Sequence, residues 1–342
     1  MLPACAALVA ACVFGCDGSE QARGGPTGGE GEPAVRVVAT TGMIADVARE
    51  VGGERVRVTG LMGEGVDPHL YKASPGDLRA MSDAGLVLYN GLHLEGRMAD
   101  VIERMGGRTS VVRVTEGIEP ALLLSKEGYA GHPDPHVWFD VSLWSKVVGR
   151  VRDALSARDP AGRESYEKSA AAYAAVLGEL HGYAHSTVAG IPADRRVLVT
   201  AHDAFGYFSR AYGIEVLAIQ GISTDSEASL RDINGLVDTL VSRKIPAVFI
   251  ESSVPRKTVD ALVEGCGARG HKVAVGGELF SDSMGREGTA EGTYVGMVLH
   301  NVETIAKALG GRVPERRPER IEEFLKARKV EKSDTHGKGP RG

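Results

Sequence analysis

One tripeptide that occurs twice carries the strongest chemical signal in this sequence. Asp134-Pro135-His136 runs into Val137-Trp138-Phe139-Asp140, and Asp67-Pro68-His69 stands 67 positions earlier with Leu70-Tyr71 behind it. Proline fixes its own φ and biases the residue before it toward extended geometry, so each motif presents an imidazole from a stiffened turn. The apolar or aromatic residues that follow give each turn a support. Taken singly, Asp-Pro is an ordinary turn opener and its histidine a surface residue. Taken together, two such loops are able to aim at one point.

Two more side chains complete a set. His202 ends the β-branched run Arg196-Val197-Leu198-Val199-Thr200-Ala201, and Asp282 lies in the loop Leu279-Phe280-Ser281-Asp282-Ser283-Met284-Gly285. Three imidazoles and one carboxylate suit Zn²⁺, and the mixed nitrogen and oxygen donors also admit Mn²⁺. The remaining histidines read differently. His132, four before His136, is placed to assist loading, His93 and His271 read as surface or turn residues, and His300 falls on a helix. His181 and His185 are four apart on a helix, but no Glu follows His181, so the zinc-protease helix pattern is absent and a solvated face is expected. Glu251, at the end of its strand, is the reserve candidate for the fourth ligand.

The elements that must position these residues alternate. Ala34 to Thr41 is a strand, and Met43, Ile44, Val47, Ala48 and Val51 follow at helical spacing. A strand at 55–58, a helix near 77–82, a strand at 86–90, a helix over 95–105 and a strand at 110–114 continue the series. A long helix opens at Asp159-Pro160, a capping residue ahead of proline, and runs until Gly190 and Pro192 stop it. At 1.5 Å per residue it is roughly 40 Å long, which suits a rigid strut between two lobes. The second half then repeats the pattern with strands at 196–200, 216–219, 247–250 and 272–275 and helices over 204–212, 227–241, 256–268 and 294–309. Alternation of this kind predicts an α/β protein with two doubly wound parallel-sheet lobes joined by a long helix. Ligands in such sheets bind beyond the carboxyl ends of the strands, so the four donors are expected in a cleft between the lobes.

Composition bounds the rest. With 342 residues, 43% apolar and 25% charged, the chain is long enough for two domains. Its formal net charge of −5, with basic residues spread along the chain, offers no nucleic-acid surface. Met1 to Cys16 carries no charge and is too short to span a bilayer, which takes roughly 20 residues, so it reads as a signal peptide. Its end resembles a bacterial lipobox with Cys16 as the lipidated residue. The expected organisation is a signal peptide over 1–16, a flexible Gly/Glu-rich tether over 17–33, an N-terminal lobe over 34–158, a connecting helix over 159–190 and a C-terminal lobe over 191–311. A charged tail over 312–342, partly disordered, carries a short helix near Ile321 to Leu325.

Five motifs in register carry a family resemblance: the two Asp-Pro-His segments, Thr200-Ala201-His202-Asp203-Ala204-Phe205-Gly206-Tyr207-Phe208, Gly221-Ile222-Ser223-Thr224-Asp225-Ser226-Glu227-Ala228-Ser229, and Leu279 to Gly285. From Ala34 to Gly311 the chain resembles the TroA-like metal-binding solute-binding proteins of bacterial zinc/manganese ABC transporters, the cluster A-I lipoproteins. The resemblance implies an exported, lipid-anchored monomer at the cell envelope that delivers Zn²⁺ or Mn²⁺ to a membrane permease. It carries the family's metal ligands onto His69, His136, His202 and Asp282. On the metal it is divided. Manganese binders often have Glu where His202 stands, whereas the long His-rich loop of zinc-specific members is missing, 116–133 holding only His132.

Two competing classes are a secreted zinc-dependent hydrolase and a metal-binding surface adhesin. A catalytic zinc generally keeps three protein ligands and an open position, and neither Gly-x-Ser-x-Gly nor His-Glu-x-x-His occurs, so no enzymatic role is expected. The anchoring reading is checked by mass spectrometry of the mature amino terminus, which should begin at a lipid-modified Cys16. A mature chain that starts elsewhere, with Cys16 absent or unmodified, contradicts it.

Overall fold

A computed structural model describes residues 35–328, apart from 107, 108, 126–128 and 130. The expected signal peptide, Cys16, the tether and the end of the charged tail lie outside the described residues. The first half runs β1 (Val35–Ala39), α1 (Gly42–Gly52), β2 (Val56–Gly60), α2 (Pro75–Asp83), β3 (Leu86–Tyr89), α3 (Arg97–Met105) and β4 (Ser110–Arg113). All strands are parallel, in the order β2-β1-β3-β4. β3 is apolar and buried at every position, as a central strand covered on both faces must be. One cover is α1, whose Met43, Ile44, Val47, Ala48 and Val51 are buried. α2 starts in a capping box, with Ser74 and Asp77 each accepting the other's backbone N–H and Pro75 preset for the first turn.

A helix that the sequence reading left out comes next. α4 (Val141–Arg158) has 18 residues, is capped by Asp140, whose carboxylate accepts the Ser142 N–H, and buries Leu143, Trp144, Val147, Val148, Val151 and Leu155. α5 (Arg163–Ala189) follows after a single 3₁₀ turn at Pro160–Gly162. Its 27 residues give roughly the 40 Å expected. It is no bare strut, however: it packs on α1 and α4, and later on α9 (Tyr294–Ala308), with Tyr166, Tyr173, Leu177, Leu180 and Tyr183 buried.

The second half contains β5 (Val197–His202), α6 (Gly206–Tyr212), β6 (Glu215–Gln220), α7 (Leu230–Arg243), β7 (Ala247–Glu251), α8 (Lys257–Ala268) and β8 (Ala274–Leu279), with α9 and α10 (Glu319–Ala327) after them. β5 pairs in parallel with β6, and β7 with β8, as two separate two-stranded sheets, with β5 packed beside β7. β8 extends to Leu279, beyond the expected strand at 272–275. Gly276 and Gly277 hid it from a reading based on apolar runs. They are needed, since a Cβ on Gly276 would lie 2.8 Å from both Ala308 and Phe249, and the ladder shifts register there.

One continuous apolar core runs from Val35 and Ile44 through Trp144 and Leu177 to Leu299 and Leu309, and so belongs to both halves. Smaller clusters lie on the far side of each sheet, around Val87 and Met98 and around Val248, Leu262 and the free thiol Cys266. Because fully buried Leu177 sits in the shared core, Leu177→Ala should cost about 3 kcal/mol. Chemical denaturation should show this loss in one transition, and a loss below about 1 kcal/mol would make α5 a spacer instead.

Candidate metal centre

Each of the four candidate side chains is delivered by a different piece of backbone. His136 sits in the Asp-Pro-His turn ahead of a 3₁₀ turn at Val137–Phe139, and is fully buried. Asp134 holds it twice, with one carboxylate oxygen accepting the His136 backbone N–H at 2.9 Å and lying 2.8 Å from Nδ1. His202 is the last residue of β5. Its Nδ1 lies 2.5 Å from Glu251 Oε2, and its backbone N–H donates to Glu251 Oε1 at 2.9 Å, Glu251 being the last residue of β7. With Nδ1 carrying the hydrogen toward a carboxylate, Nε2 of each ring is the lone pair left for a ligand. His69 is held through its backbone N–H, which donates to Asp67 Oδ1 at 2.9 Å. Asp282 lies just beyond β8 in a loop pinned by Asn301, which bonds both the N–H and the carbonyl of Phe280.

The four donor atoms converge within 4.8 Å of one another. His69 Nε2 is 3.3 Å from His136 Nε2 and 3.8 Å from Asp282 Oδ2. His136 Nε2 is 3.4 Å from Asp282 Oδ1, and His202 Nε2 is 3.2 Å from Asp282 Oδ2. A tetrahedral ion with bonds of about 2.1 Å holds its ligand atoms about 3.4 Å apart, so the set has the size of such an ion's shell. Its atoms are also short of partners: His202 Nε2 and both Asp282 oxygens are buried without a hydrogen bond. Buried polar atoms seldom stay unpaired, and a cation among them satisfies all three together.

The site's electrostatics divide the histidines. Burial, with the other imidazoles nearby, lowers His69 to about 3 despite Asp282, so this ring is neutral. Burial also works against charge on His136, but the Asp134 and Asp282 carboxylates outweigh it and push it up to about 9. His202 is raised as well, burial being overcome by Glu251 and Asp282. Burial would raise Asp282, yet His202 and His136 hold it well below the usual carboxylate range. Before an ion arrives, imidazolium protons thus balance the buried carboxylate.

All four side chains expected to act together do meet. The partners behind them were missed: Asp134 entered only as part of a turn, and Glu251 as a reserve ligand, whereas it lies against the Nδ1 edge of His202. The signal for Asp134 was its place two residues before His136, within reach of that residue's own N–H. The same spacing does not settle the other copy, where Asp67 sends its second oxygen to Thr224 Oγ1 at 2.5 Å. The other histidines among the described residues lie outside the group. His271 and His300 lie 2.8 Å from the carbonyls of Ile245 and Glu278, His181 lies beside Tyr212, and His185 is exposed. His132 stacks on His93, with centroids 4.6 Å apart.

The chain is similar to known proteins. Residues 37–308 match the family model ZnuA, described as zinc-uptake complex component A, periplasmic. The chain is 51% identical over 280 residues to the zinc-binding protein TroA of Treponema pallidum, covering 82% of this chain and 90% of that one. It is 48% identical over 282 residues to the manganese-binding lipoprotein MntA of Bacillus subtilis, with coverage of 82% and 92%. Among solved structures, the periplasmic zinc-binding protein TroA of T. pallidum superposes with a TM-score of 0.79 over 81% of this chain and 99% of that one, at 51% identity. The Fe(III)-bound YtgA of Chlamydia trachomatis does so with a TM-score of 0.75 over 82% and 100%, at 29% identity.

A proton balance follows from the electrostatics. Coordination needs neutral imidazole, and His136 is protonated below about pH 9 in the absence of metal. An incoming ion must then displace at least one proton, and apparent affinity should fall as pH falls, starting well above the ordinary histidine range. Zinc titration calorimetry in buffers of different ionisation heat, between about pH 7 and 9, should show this release, and pH-independent affinity across that window would contradict it.

Proposed function

The chain belongs to the ZnuA family of metal-binding components of ABC transporters, and on that premise we propose that it captures Zn²⁺ or Mn²⁺ outside the cytoplasm and hands the ion to a membrane permease. The observation that carries this reading is the closed set of four buried donors spaced as one ion's shell. His69, His136, His202 and Asp282 are the proposed ligands. Asp282 supplies the only negative charge among them and partly neutralises the dication. Four protein ligands leave no position for an attacking water, which supports a carrier over a hydrolase.

Around this site we place two lobes, 34–158 and 191–311, on either side of the helix at 159–190, with the ion in the cleft between them. A signal peptide over 1–16, lipidation at Cys16 and a tether over 17–33 would hold a monomer at the envelope near its permease. Three imidazoles are borderline donors, and intrinsic affinities rise from Mn²⁺ to Zn²⁺, so Zn²⁺ binds the isolated protein more tightly. His202 is the position that sets this preference. Replacing it by a hard, charged oxygen donor in His202→Glu should cut the preference for Zn²⁺ over Mn²⁺ at least about tenfold. Competition titration of both proteins with the two metals measures this, and an unchanged preference would remove His202 from the set of ligands.

A further inference from the structure

The four ligands are not equally well secured. Around His136, residues 134–140 are all buried, and hydrogen bonds cross from both halves of the chain. Tyr207 Oη of α6 donates to the Asp134 carbonyl at 2.8 Å, Asn90 Nδ2 to the Pro135 carbonyl at 3.1 Å, and Trp138 Nε1 to the Ser281 carbonyl at 3.0 Å. Tyr294 Oη, from the first turn of α9, donates to the Trp138 carbonyl at 2.7 Å. The Trp138–Ser281 bond joins the His136 segment directly to the Asp282 loop. His202 is fixed by β5 and by Glu251. Three ligands therefore share one buried, cross-braced frame.

His69 does not share it. Its segment, from Leu61 to Ser74, lacks helix and strand, and Glu64, Gly65 and Leu70 are exposed. Its start is tied to β1 through Leu61 and Met62. Among the described residues two hydrogen bonds join it to the second half, Gly65 N–H to Ser283 Oγ at 3.1 Å and Thr224 Oγ1 to Asp67 Oδ2 at 2.5 Å. Thr224 comes from 157 residues away, on a largely exposed loop after β6. Asp67 is the residue whose other oxygen holds the His69 backbone N–H. A chain of two bonds therefore runs Thr224–Asp67–His69, and it is charge-assisted throughout.

We propose that His69 is the releasable ligand of the site and that Thr224 is the positioning residue that latches it shut. In this scheme the ion enters the frame of His136, His202 and Asp282 while the His69 segment stands away. Closure brings Asp67 under the Thr224 hydroxyl and sets His69 on the ion, and the ion leaves when that bond opens. Thr224 touches no ion, so its effect falls on the lifetime of the closed state rather than on the ligand set. A bond from a hydroxyl to a carboxylate is of the stronger kind.

This inference rests on the proposed metal capture, and the experiment separates the two. Zinc-loaded full-length wild type, Thr224→Val and Thr224→Ser are mixed with excess chelator, and release is followed by stopped flow together with the zinc association rate. Thr224→Val keeps the side chain's shape but not the hydroxyl, and should speed release about tenfold, equal to about 1.4 kcal/mol, with association changed less than about twofold. Thr224→Ser restores the hydroxyl and should release at the wild-type rate. Thermal unfolding of the metal-free proteins should be the same for all three. Release from Thr224→Val at the wild-type rate, or from Thr224→Ser as fast as from Thr224→Val, overturns the latch alone. Wild type that retains no zinc overturns metal capture and the latch with it.

Discussion

A buried carboxylate whose charge partners among the described residues are imidazoles is the constraint on which the site depends. Asp282 is 2% exposed and neither of its oxygens accepts a hydrogen bond. Withdrawing a carboxylate from water costs several kcal/mol unless an opposite charge compensates. No lysine or arginine lies within ion-pairing distance of it among the described residues; three imidazoles do. Imidazole compensates in two ways, as a proton carrier while the site awaits its ion and as a neutral donor once a dication takes over the charge. The same four groups thus suit both states, and under the proposed metal binding the exchange between them is a proton exchange.

The fold's contribution is to bring four loops to one point and to limit their freedom. In the second half His202 ends β5 and Asp282 lies just beyond β8, so the carboxyl ends of two parallel strand pairs supply two of the four donors. The core that runs through α4, α5 and α9 belongs to both halves, so the frame holding His136, His202 and Asp282 is supported by the main apolar mass of the protein. Trp138 shows the coupling in one residue: its ring is part of that core, its indole N–H holds the Asp282 loop, and its carbonyl accepts from Tyr294.

What was legible in the sequence follows the range of each interaction. The four candidate residues that the structure brings together were readable because turn chemistry and strand ends are local, and most elements were readable from apolar periodicity. α4 was legible but passed over, since Asp140 and Ser142 form a cap and Leu143, Val147, Val148, Val151 and Leu155 follow at helical spacing. β8 was obscured by two glycines that exist for close packing against Phe249, Ala308 and Thr304, contacts that only the tertiary structure reveals. The roles of Glu251 toward His202 and of Thr224 toward Asp67 depend on pairings 49 and 157 residues apart. No local pattern encodes either, and the two identical Asp-Pro-His motifs take different partners for that reason.

If Asp282 and the three imidazoles act together on one ion, zinc affinity measured by chelator competition must differ between wild type and Asp282→Asn. The substitution keeps the side chain's size and removes its charge. Since even changes to the groups behind metal ligands cost 10–100-fold, the account predicts a loss of about a hundredfold or more, with the fold intact by circular dichroism. Wild-type affinity in Asp282→Asn would contradict it.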